Sequence, residues 1–527
     1  MKKHTNIILY LLVSLLLTSS FFLSACEKKA EESEPIIKIS DKRIFELFRE
    51  MASIPKEGLH YPEKINQSIS SKLRLWGLEP IIDDNGNIIV DIPASKGIKD
   101  APLLVLECHT NARIVTDDNI IFNPEIDGAT PVKSDDGSNI FSEGTSMGSS
   151  STVGIVSLLS VLNYVNDIKN KDFMHGPIRA LFTADDGTMN GSKNLHDKYL
   201  KDGDVLISFD NVNSGNVVLN SEYARQLNIY EGINSEESNA RQAFAITAYN
   251  FPGYRFGEYS SAPNSAKIIA DILTKANGAG ILFELYGIES EKTNLSSSTE
   301  TTAIVGLNEY ELRRFRQIFN DTTEPLLNDI DSYYINNGLG ITMNETLVPT
   351  AAIAQEDLSK ILTQLFGFFN TNFSDSEGHN SGVFIENLSV TPQVFSADIT
   401  VLADSIDAIE TGTSKLQEIS KLSGVSIITK SEIPGYSTDS ENEFVFKYLD
   451  LYKGVIGAEA KIRHRNTANP IGFLAEKNPL MPILTIGVTI KDEGTVYESI
   501  NSSSLSVPSN VILHYLDALI DENLMTE

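Results

Sequence analysis

Short apolar runs alternate with helical stretches in the first part of the chain. Leu103–Leu106, Ile178–Thr183 and Val205–Phe209 are apolar runs rich in strand-forming residues, and Ser150–Val165 has the length of a helix. Strands that alternate with helices are typical of an α/β sheet. The pattern therefore predicts an α/β fold, in which ligands bind beyond the carboxyl ends of the strands.

Candidate site residues come directly after these apolar runs. They are His109, Asp185, Asp186 and Asp210. Because the carboxyl ends of parallel strands lie at one edge of a sheet, we expect these side chains to lie near one another. A second interpretation stays open: the aspartates cap turns, and His109 is a hydrogen-bonded structural residue.

The pattern changes near residue 222, where Asn, Ser and Thr become frequent, and the first pattern returns near residue 435. The elements predicted beyond residue 222 are helices at Ser265–Lys275, Glu309–Ile330, Glu356–Phe369, Ile406–Leu422 and Val507–Leu524, and a strand at Thr391–Val401. A single hydrophobic core stops growing near ~250–300 residues. Two domains are therefore expected in this chain of 527 residues, of which 41% are hydrophobic.

The N-terminus has the pattern of a lipoprotein signal peptide. Lys2 and Lys3 precede the apolar stretch Ile7–Phe22, which closes on Leu23-Ser24-Ala25-Cys26. The pattern predicts that residues 1–26 are the signal, that Cys26 is acylated, and that the protein is lipid-anchored in a bacterial cell envelope. Residues 27–38 are predicted to form a charged tether. The alternative is an ordinary secretory signal with an incidental cysteine.

Composition excludes several other classes of protein. The formal net charge is −29, which disfavours binding to nucleic acid or to an anionic membrane surface. The chain has only two cysteines, so if Cys26 is lipidated then Cys108 has no intramolecular partner. No disulfide framework is expected.

Several short sequences occur in the order and spacing of one family. They are Ser53-Ile54-Pro55, Trp76-Gly77-Leu78, Gly144-Thr145-Ser146-Met147-Gly148, His175-Gly176-Pro177 and Pro434-Gly435-Tyr436, together with the stretch around His109. With these sequences the chain resembles the aminoacyl-histidine dipeptidases, also called cytosol non-specific dipeptidases, which are two-zinc peptidases. The resemblance implies a mixed-sheet α/β peptidase-like domain from residues 39–221 and 435–527. It also implies an inserted α+β lid domain at residues 222–434.

The resemblance gives each candidate residue a role. His109 and Asp210 match metal ligands of the family, while Asp185 and Asp186 stand where the family has two glutamates, the catalytic base and a zinc ligand. Each aspartate is one methylene shorter than a glutamate, which misplaces a base that must lie within about 3 Å of its water. These residues are the remnants of a metal site.

Other positions depart from the family. Asn111 replaces an acid that orients the metal-binding histidine, and such losses cost about 10 to 100-fold in metal affinity. Ser150 replaces the carboxylate that bridges the two cations, whose mutual repulsion requires an anionic oxygen between them. Gly494 lies in the stretch that should supply a second histidine. Tyr254 and Ala403 stand where the lid would contact substrate.

Two functions from different classes follow from these departures. The first is a catalytically inactive protein with the dipeptidase architecture that serves in binding or scaffolding, with a peptide or protein ligand and no cofactor. A solute-binding protein whose lid closes on a peptide is a variant of this prediction. The second is an active metal-dependent dipeptidase or aminopeptidase with an altered or single-zinc site. The sequence leaves the oligomeric state open.

Overall fold

The computed structural model describes residues 37–520 except 59–60, 118, 124, 186–188, 252–263, 291–298, 330–334, 336–337, 371–372, 375–379 and 466. The helices are α1 Asp41–Ala52, α2 Glu63–Leu75, α3 Ser149–Asn166, α4 Asn190–Asn194, α5 Ser265–Gly278, α6 Glu309–Asp329, α7 Gln355–Asn370, α8 Ile406–Ser423, α9 Glu443–Ile456, α10 Ile471–Lys477 and α11 Val507–Ala518. Short 3₁₀ turns occupy Ile168–Asn170, Asp197–Tyr199 and Ser502–Ser504.

Within the described residues the strands form five sheets. In chain order they are β1 Ile81–Ile82, β2 Ile88–Ile92, β3 Leu104–His109, β4 Val132–Lys133, β5 Asn139–Phe141, β6 Ile178–Thr183, β7 Val205–Asn211, β8 Asn216–Val218, β9 Asn220–Ser221, β10 Tyr223–Gly232, β11 Ser235–Glu237, β12 Gln242–Tyr249, β13 Glu284–Ser290, β14 Thr301–Leu307, β15 Gly340–Thr346, β16 Ala351–Ile353, β17 Phe373–Ser374, β18 Asn380–Val390, β19 Val394–Ala403, β20 Ile427–Ile433, β21 Tyr436–Ser437, β22 Lys461–Arg463, β23 Ile483–Gly487, β24 Ile490–Lys491 and β25 Ser499–Asn501.

The first large sheet is mixed, as predicted. Its order is β1-β2-β6-β3-β7-β23-β8-β22. The central strands β6, β3, β7 and β23 run parallel, whereas β2 is antiparallel to β6. These strands are continuous apolar runs because a central parallel strand is covered on both faces. The carboxyl ends of β6, β3 and β7 consequently meet at one edge.

Helix α3 packs directly on the central strands. Apolar and small residues line it almost all round, as expected of a buried helix. Gly154 permits the close approach, because a Cβ there would lie 2.9 Å from the Cβ of Cys108 and 3.1 Å from the carbonyl oxygen of Phe209. The first turn of α3 therefore reaches the same sheet edge as the ends of β3 and β7.

The second large sheet has nine strands in the part of the chain that the structure describes, in the order β15-β12-β14-β13-β18-β19-β10-β20, with β17 beside β18. All its pairings are antiparallel. Its strands lie between Tyr223 and Ile433, and its hydrophobic cluster draws on residues 227–425. The cluster of the first sheet draws instead on residues 39–219 and 445–519. The domain boundaries at residues 222 and 434 stay a prediction.

A short pairing joins the two segments that connect the large sheets. Strands β9 and β21 are antiparallel, with Tyr436 opposite Ser221 and Ser437 opposite Asn220. Gly435 allows the approach, since a Cβ there would lie 2.5 Å from the carbonyl oxygen of Ser221. We call β9 and β21 together the crossover pair.

The N-terminal prediction falls outside this structure. Residues 1–36, which include Cys26, are not among the described residues. Within the described part of the chain, no helix is both long enough and apolar enough to cross a membrane. The acylation of Cys26 stays a prediction.

Candidate functional site

Three neighbouring strands deliver the candidate residues to one edge of the first sheet. His109 is the last residue of β3, Asp210 is the next-to-last residue of β7, and Asp185 follows β6 by two residues. The register places His109 opposite Thr183 and Glu107 opposite Ser208. The expected proximity of His109, Asp185 and Asp210 follows from this parallel register, while Asp186 lies outside the described residues.

Asp210 is the centre of a compact ion network. Its Oδ1 lies 3.5 Å from His109 Nε2, and its Oδ2 accepts hydrogen bonds from Arg465 Nη1 at 3.0 Å and Asn469 Nδ2 at 3.4 Å. A second bond runs from Arg465 Nη2 to the Asp210 carbonyl oxygen. Burial alone would raise the pKa of Asp210, but the charge of Arg465 and the hydrogen bond from His109 hold it far below its usual range. We call Asp210, Arg465, His109 and Asn469 the Asp210 network.

The ring of His109 is held at both nitrogens. Nδ1 lies 3.0 Å from Asn111 Oδ1, and because an amide oxygen only accepts, Nδ1 is the donor. Burial favours the neutral ring, but Asp210 outweighs it and, together with Glu107, raises the pKa of His109 to about 9. Nε2 then also carries a proton and faces Asp210.

Asp185 is hydrogen-bonded to Ser192 through both carboxylate oxygens. It is buried, its Oδ1 accepts from the backbone N–H of Ser192 at 2.8 Å, and its Oδ2 accepts from the Ser192 hydroxyl at 2.5 Å. Burial raises its pKa. Ser192 lies in α4, so Asp185 is hydrogen-bonded to that helix, and its predicted role as a turn cap stays a prediction. The role of Asp185 as a base stays a prediction.

The buried Glu498 binds the N-terminus of α3, next to the site. Glu498 Oε1 accepts from the N–H groups of Met147 at 2.8 Å and Ser149 at 3.2 Å, and from the Ser149 hydroxyl at 2.6 Å. Its Oε2 accepts from the N–H of Gly494 at 2.9 Å. A negative charge at a helix N-terminus is favourable. Glu498 thereby fixes the Gly494 loop beside the first turn of α3, which contains Ser150.

Glu107 lies beneath the Asp210 network in β3. It is 2% exposed, and its Oε1 accepts a hydrogen bond from the hydroxyl of Thr183 at 2.9 Å. Burial raises its pKa to about 7, although the hydrogen bond from Thr183 and the charge of His109 oppose the rise. The site therefore has a carboxyl group below it that keeps its proton into the neutral range.

Glu107→Gln should remove part of the pH dependence of stability. The folded state holds the proton of Glu107 more tightly than the unfolded state, so this stabilisation is complete below the ordinary glutamate pKa of 4.5 and is lost as the pH rises towards about 7. Across that window the wild type should lose roughly 3 kcal/mol more than the variant. Urea-induced unfolding of both proteins at the two ends of this pH window measures the difference. If the free energy of unfolding changed equally with pH in the wild type and the variant, this would contradict a buried, protonated Glu107.

The segment that carries Arg465 is bound to the crossover pair. The N–H of Arg465 donates to Asn220 Oδ1 at 2.9 Å, and Asn220 Nδ2 donates to the Arg465 carbonyl oxygen at 3.1 Å. The Ser221 hydroxyl donates to the Thr467 carbonyl oxygen at 3.2 Å and accepts from the N–H of Asn469 at 3.1 Å. Backbone hydrogen bonds therefore fix the positions of Arg465 and Asn469, independently of their side-chain contacts with Asp210.

The remaining predicted positions lie apart from this network or outside the structure. Ala403 is buried at the end of β19, where it pairs with Tyr223 and with Ser381. Tyr254 lies outside the described residues. Neither position tests the lid contacts that the resemblance implies.

The side chains around Asp210 do not fit a pair of zinc ions. A two-metal site needs a carboxylate between the ions, and Ser150 offers only a hydroxyl. Asp210 is already paired with Arg465 through Oδ2, and its Oδ1 faces His109 Nε2 at 3.5 Å. Among the described residues, no group of three His, Cys, Asp or Glu side chains is arranged to hold a metal ion.

Comparisons with known proteins identify the fold. No protein-family model matches the chain. The cytosol non-specific dipeptidase of Escherichia coli (strain K12) is 20% identical over 481 residues, which cover 89% of this chain and 96% of that protein. Aminoacylhistidine dipeptidase from Vibrio alginolyticus superposes with a TM-score of 0.71 at 21% identity, covering 93% of this chain and 99% of that one. Aminopeptidase PepT from Bacillus cereus gives 0.56 at 14% identity, with coverages of 92% and 100%.

These matches confirm one prediction and correct another. The resemblance to the aminoacyl-histidine dipeptidases is confirmed, and the chain has a dipeptidase-like fold with a mixed-sheet α/β domain. The predicted cell-envelope location is wrong. It depended on Lys2, Lys3, the apolar stretch and Cys26 at the N-terminus, whereas a relative that matches 89% of the chain is named as a cytosol enzyme.

The sequence interpretation missed three residues of the site: Arg465, Asn469 and Glu498. Arg465 and Asn469 stand in the stretch after His464, outside the short sequences that carry the resemblance. The available signal was the positive charge of Arg465 in a region where a metalloenzyme has metal-binding or substrate-binding groups. An aspartate without its metal, such as Asp210, needs another positive partner. Glu498 carried no signal of its own.

Proposed function

We propose that this protein binds a peptide in a dipeptidase-like cleft without hydrolysing it. The proposal depends on one observation: both carboxylate oxygens of Asp210 are already paired with protein side chains. Oδ1 faces His109, and Oδ2 accepts from Arg465 and Asn469. Hydrolysis in a two-zinc site requires that such a carboxylate hold a metal ion instead. A peptide is the expected ligand because the similar proteins are named as peptidases.

Two further replacements support this proposal. Ser150 cannot supply the charge that bridges two cations, and Asn111 accepts from His109 where an acid would strengthen the histidine as a ligand. Both replacements weaken metal binding, and so does the pairing of Arg465 with Asp210. Loss of the metal site through several independent positions is what a binding protein tolerates and an enzyme of this chemistry does not.

A second function is favoured by the comparisons taken alone. The relatives are named as dipeptidases and an aminopeptidase, and their likeness extends over nearly the whole chain. On that basis the protein is a metal-dependent dipeptidase with an altered site. His109, Asp186 and Asp210 would then hold a zinc ion, and Asp185 would act as the base. This function requires Arg465 to leave Asp210.

Release of amino acids from a mixture of dipeptides separates the two functions. The purified protein is incubated with the mixture, with added zinc or with a chelator, and Asp185→Ala is the matched variant. We expect no release above a protein-free control in any condition. Zinc-dependent release that the chelator abolishes and that Asp185→Ala lacks would establish the second function and overturn the first.

A further inference from the structure

The stretch that carries Arg465 and Asn469 contacts both the Asp210 network and the second large sheet. We call Arg465, Thr467, Ala468 and Asn469 the linking segment. Arg465 and Asn469 bind Asp210 through their side chains. Ala468, which lies between them in the sequence, is 7% exposed and belongs instead to a hydrophobic cluster with residues of the second sheet. One short stretch therefore joins the site to that sheet.

Three residues of the second sheet form one row against this segment. Ala224 of β10 lies opposite Leu402 of β19 and opposite Ile433 of β20. We call these three residues the packing row. Each is at most 4% exposed, and together they form one buried cluster with Ala468 and with Phe473 of α10. Because buried side chains are closely packed, a shift of the packing row must either leave a cavity or move the linking segment.

The linking segment is also held at its backbone by the residues that lead into the second sheet. The Asn220 side chain binds both the N–H and the carbonyl group of Arg465. The Thr467 carbonyl oxygen accepts from the Ser221 hydroxyl at 3.2 Å and from the N–H of Glu222 at 3.0 Å. Glu222 directly precedes β10. A displacement of β10 is therefore transmitted to the backbone of Arg465.

The returning connection from the second sheet packs against the same region. A Cβ at Gly472, in α10, would lie 1.6 Å from the carbonyl oxygen of Pro434 and 2.6 Å from its carbonyl carbon. Helix α10 begins at Ile471, whose N–H donates to Asn469 Oδ1 at 3.0 Å. Both connections between the two sheets thus contact the linking segment or the helix that follows it.

We propose that the second sheet controls the Asp210 network through the linking segment. While the packing row contacts Ala468, the linking segment keeps Arg465 on Asp210, and loss of that packing releases it. Energetic coupling between separate sites is carried by contiguous packed and hydrogen-bonded groups of this kind. The packing row consists of positioning residues, because they act on Asp210 through the linking segment.

The inference describes the regulation of the proposed binding site and rests on the proposed function in that respect. Release of Arg465 frees a carboxylate oxygen of Asp210 and so changes the charge that the cleft presents to a ligand. Coupling is reciprocal, so displacement of Arg465 must also loosen the packing row. The coupling can be measured without a ligand. Its failure is therefore distinct from failure of the proposed function, which the release of amino acids from dipeptides decides.

Exchange of the Arg465 side-chain protons with water measures the coupling in the full chain. The protein is labelled with isotopic arginine, and the side-chain N–H signal that Arg465→Lys removes is followed by NMR. Leu402→Ala opens a cavity in the packing row, so the released state of Arg465 becomes more populated. The exchange should become about 2 to 30-fold faster, which is the range of coupling along such networks. A rate equal to that of the wild type would overturn the inference.

Leu388→Ala is the matched control for Leu402→Ala. Leu388 of β18 is fully buried in the hydrophobic cluster of the second sheet, away from the packing row. The same atoms are removed, but exchange at Arg465 should stay within about 2-fold of the wild type. Equal acceleration in both variants would reveal a general loss of stability and would overturn the inference. If Leu402→Ala does not fold, Leu402→Val makes a smaller cavity at the same place and is judged by the same criterion.

The reverse experiment tests the reciprocity. Arg465→Ala should speed backbone amide exchange at the end of β19, near Leu402, relative to the amides of β12 in the same sheet, as measured by mass spectrometry. Arg463→Ala removes an exposed arginine two residues away and should leave this ratio unchanged. A ratio in Arg465→Ala equal to that of the wild type would overturn the inference.

Discussion

Replacement of Arg465 by alanine should lower the free energy of unfolding by about 3 kcal/mol. The change leaves Asp210 without the cation at its Oδ2, in a site where both side chains are less than one quarter exposed. A carboxylate left there with only His109 and Asn469 as partners costs more than the loss of the contact itself, because its hydration is not restored. Urea-induced unfolding at neutral pH measures the difference.

The control for Arg465→Ala is Arg463→Ala. Arg463 carries the same charge and is exposed at the end of β22, so its removal should change stability by no more than ~0.5 kcal/mol. The deficit of Arg465→Ala should also shrink at acidic pH. The pKa of Asp210 is depressed in the folded state, so the stabilisation by the pair is present above the ordinary aspartate pKa and is lost as the pH falls through the depressed one. A deficit no larger than that of Arg463→Ala would contradict the ion network.

Gly487→Ala should destabilise the protein by at least about 4 kcal/mol or prevent folding. A Cβ at Gly487 would lie 1.7 Å from the carbonyl oxygen of Asn211 and 2.6 Å from its carbonyl carbon. Backbone atoms cannot yield as a flexible side chain does, so β23 must separate from β7. Asn211 follows Asp210 directly, and the displacement therefore reaches the Asp210 network.

Gly232→Ala is the matched substitution for Gly487→Ala. Gly232 is exposed at the end of β10, and no atom lies within 4 Å of a Cβ placed there. Its unfolding free energy should stay within ~0.5 kcal/mol of the wild type. Comparable unfolding transitions for the two variants would show that β23 and β7 are not packed as closely as described.

The sheet that carries the site could be predicted from local pattern. Ile178–Thr183 is a strand at the predicted residues, and the strands predicted at Leu103–Leu106 and Val205–Phe209 are observed at Leu104–His109 and Val205–Asn211. Central parallel strands are buried on both faces, so their apolar runs are strong signals. The helix ends were less accurate: Ser265–Gly278 extends three residues beyond its predicted end, because apolar periodicity does not mark a terminus.

The contacts that decide the chemistry could not be predicted in the same way. Arg465 and Asp210 are 255 residues apart, and Glu498 and Met147 are 351 apart. Such pairs depend on how strands from distant segments align, which no local pattern encodes. That metal-site residues are replaced stays a prediction from the resemblance, and the sequence did not predict that Arg465 would bind Asp210.

Anomalous scattering at the zinc absorption edge, from crystals grown in the presence of zinc, tests the central claim most directly. We expect the Arg465 guanidinium to remain on Asp210, with no zinc peak between His109 and Asp210. Two fully occupied peaks beside His109 and Asp210, with Arg465 displaced from the carboxylate, would contradict the account.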